Sequence, residues 1–298
     1  MDTPPPPSLV HLAFNRGKHL DAPVLFSLSE RKPVASNMEE LRGSTAWATA
    51  QGCCRLCTRM SPPSAIACSP TVVVSSNGSC VVLLLDKMDP IMWYCHVGGG
   101  GGGWTRHEYD IGTQILSYDD PEVTTEKLVI AAATSCNGKF YFPTGFEELG
   151  VIEFRPTPAF SSMAMREVIT GGYGVAHKAL EFMVESKGQV HMVILLFEGS
   201  FSKVVYEISV YRMDFSKQEW RRVYDLEGQA FLLSSVAFGA SRPADECGLE
   251  EDCVYVAYPW DKGLMIYNIR EGTMKLENLD QAPESQSAGR PLWMLPAR

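Results

Sequence analysis

Val210-Tyr-Arg-Met-Asp-Phe-Ser-Lys-Gln-Glu-Trp220-Arg-Arg-Val223 reads as one hairpin: an apolar strand, a tight polar turn, and a second strand led by tryptophan. Related copies run from Ile91 to Tyr109, where Met92-Trp-Tyr-Cys-His-Val97 and six glycines precede Trp104, from Val151 to Val168, and from Leu264 to Leu276. A strand-turn-strand unit repeated along a chain is the mark of a β-propeller, in which each blade buries its faces against its neighbours.

Working outward, each copy belongs to a four-strand unit. The first pairs Thr71–Val74 with Val81–Leu85 across Asn77-Gly78, and continues with Met92–Val97 and Trp104–Tyr109. Asn-Gly is a strong hairpin signal because both residues tolerate positive φ. A second unit runs Leu128–Thr134, Lys139–Phe142, Val151–Phe154 and Met163–Val168. A third runs Ala179–Glu185, Gln189–Phe197, Val204–Met213 and Glu219–Val223, and a fourth Phe231–Phe238, Cys253–Tyr258, Leu264–Ile269 and Thr273–Leu276. The units begin at intervals close to the ~40–50 residues expected of blades. Sustained helical periodicity is absent, which argues against an α/β fold. Short helical turns are expected only near residues 36–42 and 243–249.

The expected fold is therefore all-β: a propeller of four-stranded antiparallel blades at about 70–110, 127–168, 178–223 and 230–277. A proline-rich leader, residues 1–8, precedes a single domain spanning 9–298. Leu9–Phe14, Val24–Leu28 and Ala46–Ala50 read as strands of an N-terminal remnant. Propellers close by pairing strands from their two ends, and Pro291-Leu-Trp-Met-Leu-Pro296 is the candidate closing element. The short stretch between Gly52 and Pro70 leaves both a complete and an incomplete ring open.

Composition narrows the function classes. A formal charge of −9 and a pI near 5.2 argue against general nucleic-acid binding, which needs clustered cations. The start of the sequence lacks the basic and apolar regions of a secretory signal, and the longest apolar run, Val81–Leu85, is too short to span a bilayer. Nine cysteines are an odd count. Cys80, Cys95 and Cys253 lie inside apolar runs and read as small buried hydrophobes in a reducing compartment. The expectation is a monomeric cytoplasmic or nuclear protein, neither secreted nor membrane-bound.

The stretch from Tyr206 to Leu279 carries a resemblance. Val210-Tyr-Arg-Met-Asp214 and Trp220-Arg-Arg-Val223, then Ala230-Phe-Leu-Leu-Ser234, Cys253-Val-Tyr-Val-Ala-Tyr258, Ile266-Tyr-Asn-Ile-Arg-Glu-Gly272 and Pro291-Leu-Trp293 resemble the plant KIB-type β-propeller family, domain of unknown function 295. Trp47-Ala-Thr-Ala-Gln-Gly52 and Trp93-Tyr-Cys-His96 look like its N-terminal half. The resemblance covers about residues 9–296, and its diffuse apolar motifs carry no active site. It implies a propeller that binds proteins. In many relatives an F-box ahead of the propeller docks onto a ubiquitin-ligase scaffold, and some members bind a glycogen-synthase-kinase-3-like kinase. Here only eight residues precede the first strand, so no F-box is expected.

Individual motifs reduce to structural readings. Cys53-Cys54-Arg-Leu-Cys57, with Cys68 beyond, supplies one Cys-x-x-Cys where structural zinc normally needs two such pairs. No metal or cofactor is expected. Gly98–Gly103 lacks the Lys-Ser/Thr and following helix of a phosphate loop, and reads as a slack hairpin. No nucleophile elbow is present, and six scattered histidines offer no evident base. Asp119-Asp120, Glu147-Glu148 and Glu250-Glu251-Asp252 read as solvated loop charge. Trp104 and Trp220 are expected to pack over their own blades. Trp260, in Tyr258-Pro-Trp-Asp-Lys-Gly263, is the candidate partner-binding aromatic. The expected function is a non-enzymatic protein-interaction module, with no catalytic residues. The alternatives are a hydrolase using channel-mouth carboxylates, or a truncated paralogue without activity.

Overall fold

Apolar character in the third unit peaks at its second strand and falls toward its outer edge. In Gln189–Phe197 eight consecutive residues are buried, whereas the strand at Glu219–Arg222 is half-buried or exposed. An unbroken apolar run means that both faces of the strand are covered, as in the middle of a blade wedged between two others.

The computed structural model describes residues 11–14, 24–28, 32–34, 45–49, 52–56, 69–74, 80–97, 103–115, 125–144, 148–166, 178–199, 204–234, 238–257, 263–279 and 292–294. In chain order, β1 (His11–Phe14), β2 (Val24–Ser27) and β3 (Lys32–Val34) precede a two-stranded sheet of β4 (Thr45–Thr49) and β5 (Gly52–Leu56). The first full blade is β6 (Ser69–Val74), β7 (Cys80–Leu85), β8 (Ile91–Val97) and β9 (Thr105–Glu108). A small pair follows, β10 (Thr113–Ile115) with β11 (Thr125–Lys127). The second blade is β12 (Thr134–Cys136), β13 (Lys139–Pro143), β14 (Glu148–Phe154) and β15 (Pro158–Ala164). The third is β16 (Lys178–Ser186), β17 (Gln189–Phe197), β18 (Val205–Asp214) and β19 (Glu219–Arg222). The fourth holds β20 (Gln229–Ser234), β21 (Phe238–Pro243), helical turn α1 (Ala244–Cys247), β22 (Cys253–Ala257), β23 (Gly263–Asn268) and β24 (Thr273–Asn278). Last comes β25 (Leu292–Met294).

The all-β propeller and its four clear blades stand as read from the sequence, and strands of the N-terminal remnant pair among themselves and with the closing strand. β25 pairs antiparallel with β1, with Leu12 opposite Trp293, so both ends of the chain share a four-stranded sheet in the order β25-β1-β2-β3. The innermost strands neighbour one another in sequence: β4 beside β6, β6 beside β12, β12 beside β16, β16 beside β21, and β25 beside β4. Trp293 is fully buried, and its indole N–H donates to the Leu233 carbonyl at 2.7 Å, which fastens the closing strand to the fourth blade. Phe26, Leu28 and Trp293 join the core of that blade.

Three differences from the sequence reading have physical causes. Leu128–Ala133 forms no ladder; Ile130 and Ala132 are buried between blades, and the Ile130 N–H donates to the Tyr109 hydroxyl at 2.9 Å. The last strand of the second blade begins earlier than Met163, at Pro158, because Arg155–Thr157 makes the tight turn. The fourth blade has five strands. β20 pairs antiparallel with β21 on one side and parallel with β22 on the other, and α1, at the expected helical turn, allows that crossover. The leader 1–8 and the turn expected at 36–42 lie outside the described residues.

Turn chemistry explains the registers. Asn137-Gly138 and Lys187-Gly188 both have positive φ at both residues, the two-residue turn whose twist matches that of paired strands. In the opening hairpin, Asp214 accepts hydrogen bonds from the Ser216 and Lys217 amides at 3.0 and 3.2 Å. Asn268 takes the same role for Arg270 and Glu271 in the fourth blade, both at 3.0 Å.

Candidate functional site

Trp260 lies outside the described residues, as do Cys57, Cys68, Gly98–Gly102 and Asp119-Asp120. Cys53 and Cys54 fall on β5, opposite Ala48 and Trp47. Among the described residues no group of three or more His, Cys, Asp or Glu is placed to hold a metal ion. Cys136 and Cys253 are buried free thiols, and burial pushes both up to about 11, which keeps them protonated and inert. Cys80 and Cys95 are only half-buried.

The Glu250-Glu251-Asp252 run is not uniform loop charge. Asp252 is buried, accepts the Leu226 amide at 2.7 Å and pairs with Arg270 at 2.7 Å. Its carboxylate is a structural clamp on the link between the third and fourth blades. The tryptophans behave as expected: Trp104 packs with Leu84 and Trp93, and Trp220 lies opposite Met213 against the core of the second and third blades.

That clamped link borders a cleft of about 270 Å³, where three segments meet at the rim of the third blade. The β16–β17 turn brings Ser186, Lys187 and Gln189. His191 and Arg212 face each other across β17 and β18, and Arg222 ends β19 opposite Tyr211. The link from Val223 to Glu227 completes the wall. After the Val223 amide makes the last ladder bond, to the Val210 carbonyl at 2.9 Å, the chain leaves the sheet and crosses toward β20.

Charge in the cleft runs against that of the whole molecule. Lys187, Arg212 and Arg222 face two carboxylates, Asp225 and Glu227, in a protein of net charge −9. The Lys187 ammonium donates to the Glu227 backbone carbonyl at 2.7 Å, which ties the turn to the link. The Glu227 carboxylate stands 3.4 Å from Arg212 and 3.8 Å from Lys187. Arg222 pairs with Glu207 at 3.1 Å and stands 5.8 Å from the centre of the Tyr224 ring. Tyr224 itself is 64% exposed.

His191 lines the cleft and is only 7% exposed. Its ring meets Phe231 edge-on, and its Nδ1 has no partner among the described residues. Burial pulls its pKa down to about 4; a hydrogen bond to the Gln189 backbone opposes this, and the Arg212 charge reinforces it. At neutral pH it is an uncharged imidazole. Chemically, the cleft offers cations, a neutral ring nitrogen and an exposed aromatic.

Sequence reading passed over this cleft. Arg212 and Arg222 sit inside the deciding hairpin itself, and Lys187 sits in the turn between β16 and β17. Register alone brings them together. The available signal was a histidine set into the apolar run Val190-His-Met-Val-Ile194.

A family model described as KIB1-4 beta-propeller matches residues 17–275. Similar solved structures include a functionally unknown protein from Desulfotomaculum acetoxidans DSM 771, at 8% identity over 97% of this chain and 99% of that one, with a TM-score of 0.39. A family 117 glycoside hydrolase from the marine bacterium Zobellia galactanivorans is 10% identical over 83% of this chain and 74% of its own, with a TM-score of 0.32. An oligogalacturonate lyase in complex with manganese is 12% identical over 92% and 82%, with a TM-score of 0.35. Scores this low carry no argument about chemistry. No curated protein matches the sequence.

Proposed function

This chain belongs to the KIB1-4 β-propeller family, and from that premise we propose that it is a non-enzymatic protein-recognition module that docks a partner at the rim of its third blade. The observation that carries this reading is Tyr224, an exposed aromatic stacked near Arg222 at the mouth of a concave site. Aromatic residues and arginine supply most hot spots of protein interfaces, and a rigid scaffold that presents them loses little entropy on binding. Trp260 remains part of the proposal on its sequence context alone. The proposed setting is a monomer in the cytoplasm or nucleus; no helix among the described residues is long and apolar enough to cross a membrane. The receptor role of F-box relatives in ubiquitin-ligase or kinase-signalling pathways fits as the binding half of such a system.

Site-specific photo-crosslinking tests the reading. A photoreactive residue at position 224 is expected to capture a discrete protein from native tissue, with capture lost in the Arg222→Ala background. Capture no greater than from a probe at exposed Met88 sinks it.

A further inference from the structure

We propose that the cleft is a seat for an oxyanion-bearing side chain of a partner peptide, and that Glu227 fills this seat in its absence. The proposal rests on the recognition role above and specifies its chemistry.

Lys187 and Arg212 share the one Glu227 carboxylate, at 3.8 and 3.4 Å. Charge-assisted hydrogen bonds between nitrogen and oxygen close to about 2.7–2.9 Å when the groups are free to optimise them. Both contacts are therefore loose. Glu227 is also tethered by its own backbone, whose carbonyl already takes the Lys187 ammonium at 2.7 Å. A carboxylate held in this way screens the two cations without saturating their donors. An incoming oxyanion free of the tether can approach both cations closely.

His191 Nδ1 is buried, lines the same cleft, and has no partner among the described residues. A buried polar atom without a hydrogen bond costs free energy that a ligand atom can recover. In a neutral ring whose N–H goes to the Gln189 backbone, Nδ1 is an acceptor, so it takes an amide N–H of the bound peptide while Lys187 and Arg212 take the oxyanion. Phosphate on a serine, threonine or tyrosine and the carboxylate of Asp or Glu share that chemistry. Tyr224, exposed at the mouth, provides a flat apolar contact for the flanking residues of the peptide.

The test is fluorescence anisotropy of the full chain with labelled Ala-Ala-X-Ala-Ala peptides, where X is phosphotyrosine, phosphoserine, Glu or Ala. Anionic peptides are expected to bind and the Ala peptide not. Glu227→Gln removes the internal competitor and is expected to tighten binding about three- to fivefold, the size of an exposed ion pair released. Arg212→Gln and Lys187→Gln are each expected to weaken it about tenfold with thermal melts unchanged; both side chains are surface-exposed, and the two variants check each other. Competition by inorganic phosphate assigns the seat to phosphate, and binding of the Glu peptide alone assigns it to carboxylate. If no anionic peptide binds either the wild type or Glu227→Gln better than the Ala peptide does, the proposal is wrong. It is equally wrong if Glu227→Gln leaves affinity unchanged. Should photo-crosslinking at position 224 still capture a partner in either case, the recognition role survives without the oxyanion. Peptide binding as expected with no captured partner leaves the seat and removes the role.

Discussion

At the scale of single residues, His191 and Gly150 show how little room this propeller leaves. His191 is neutral in the fold because burial holds its pKa near 4, below the ordinary value of 6.5. The unfolded chain therefore binds the proton more readily. Stability from this group is fully present above about pH 6.5, falls as pH drops, and levels off below about 4, a total of roughly 3 kcal/mol. Denaturant titrations between pH 4 and 7 are expected to show this slope, and His191→Gln is expected to flatten it. Gly150 lies opposite Phe142 across β13 and β14, and a Cβ there would run into the Phe142 ring. Gly150→Ala is expected to cost about 1–3 kcal/mol in denaturant unfolding, as overpacking does. Neither effect was legible in the sequence. A glycine in Glu148-Leu-Gly-Val151 looks like any weak strand position, and only the cross-strand partner gives it a purpose. Asp214 and Asn268 contrast with it. Each is the last residue of its strand and caps the polar loop that follows, a pattern the sequence displays on its face.

At the scale of elements, the order of strands within the first three blades was legible, while several strand bounds and the fold-back in the fourth blade were not. The third blade was readable strand by strand, since β16 to β19 carry sharp turns at Lys187-Gly188 and Asp214–Glu219. The fourth was read as four strands because apolar residues flank Ser234-Ser235 on both sides in Phe231–Phe238, and two serines without Gly, Pro or Asn are a weak signal that the chain folds back on itself. The result, β20 flanked by antiparallel β21 and parallel β22, puts β21 at the inner end of the blade beside β16. Gly239 makes this approach possible. A Cβ at that position would stand 2.6 Å from the Met183 carbonyl and 2.7 Å from Val184. Backbone cannot retreat as a flexible side chain can, so Gly239→Ala is expected to separate the third and fourth blades. Hydrogen exchange should report this as faster exchange at β16 and β21, with β6 to β9 unaffected. The cleft was missed because its cations come from a turn and two strands joined only by register.

At the scale of the whole molecule, closure rests on the short β1–β25 ladder and on one buried side chain. Trp293 is fully buried and hydrogen-bonded to the fourth blade, whereas Trp220 is half-buried at an outer strand. Trp293→Ala is therefore expected to cost about 3–5 kcal/mol and Trp220→Ala about 1–3, read from paired denaturant curves. Equal losses would mean that the closing strand contributes no more than any other. Pro291–Pro296 was legible as a closing element because propellers pair strands from their two ends, while the register that sets Leu12 opposite Trp293 was not. This pairing also has a consequence in time. Roughly 280 residues separate β1 from β25, so at a translation rate of about 5–20 residues per second β1 waits some 15–60 s for its neighbour. During that interval the first three blades can form, while the edge of β1 stays open to any strand in the crowded space around the ribosome. Protein made by translation thus meets its most vulnerable moment before release, whereas protein refolded from denaturant has both partners at hand from the start.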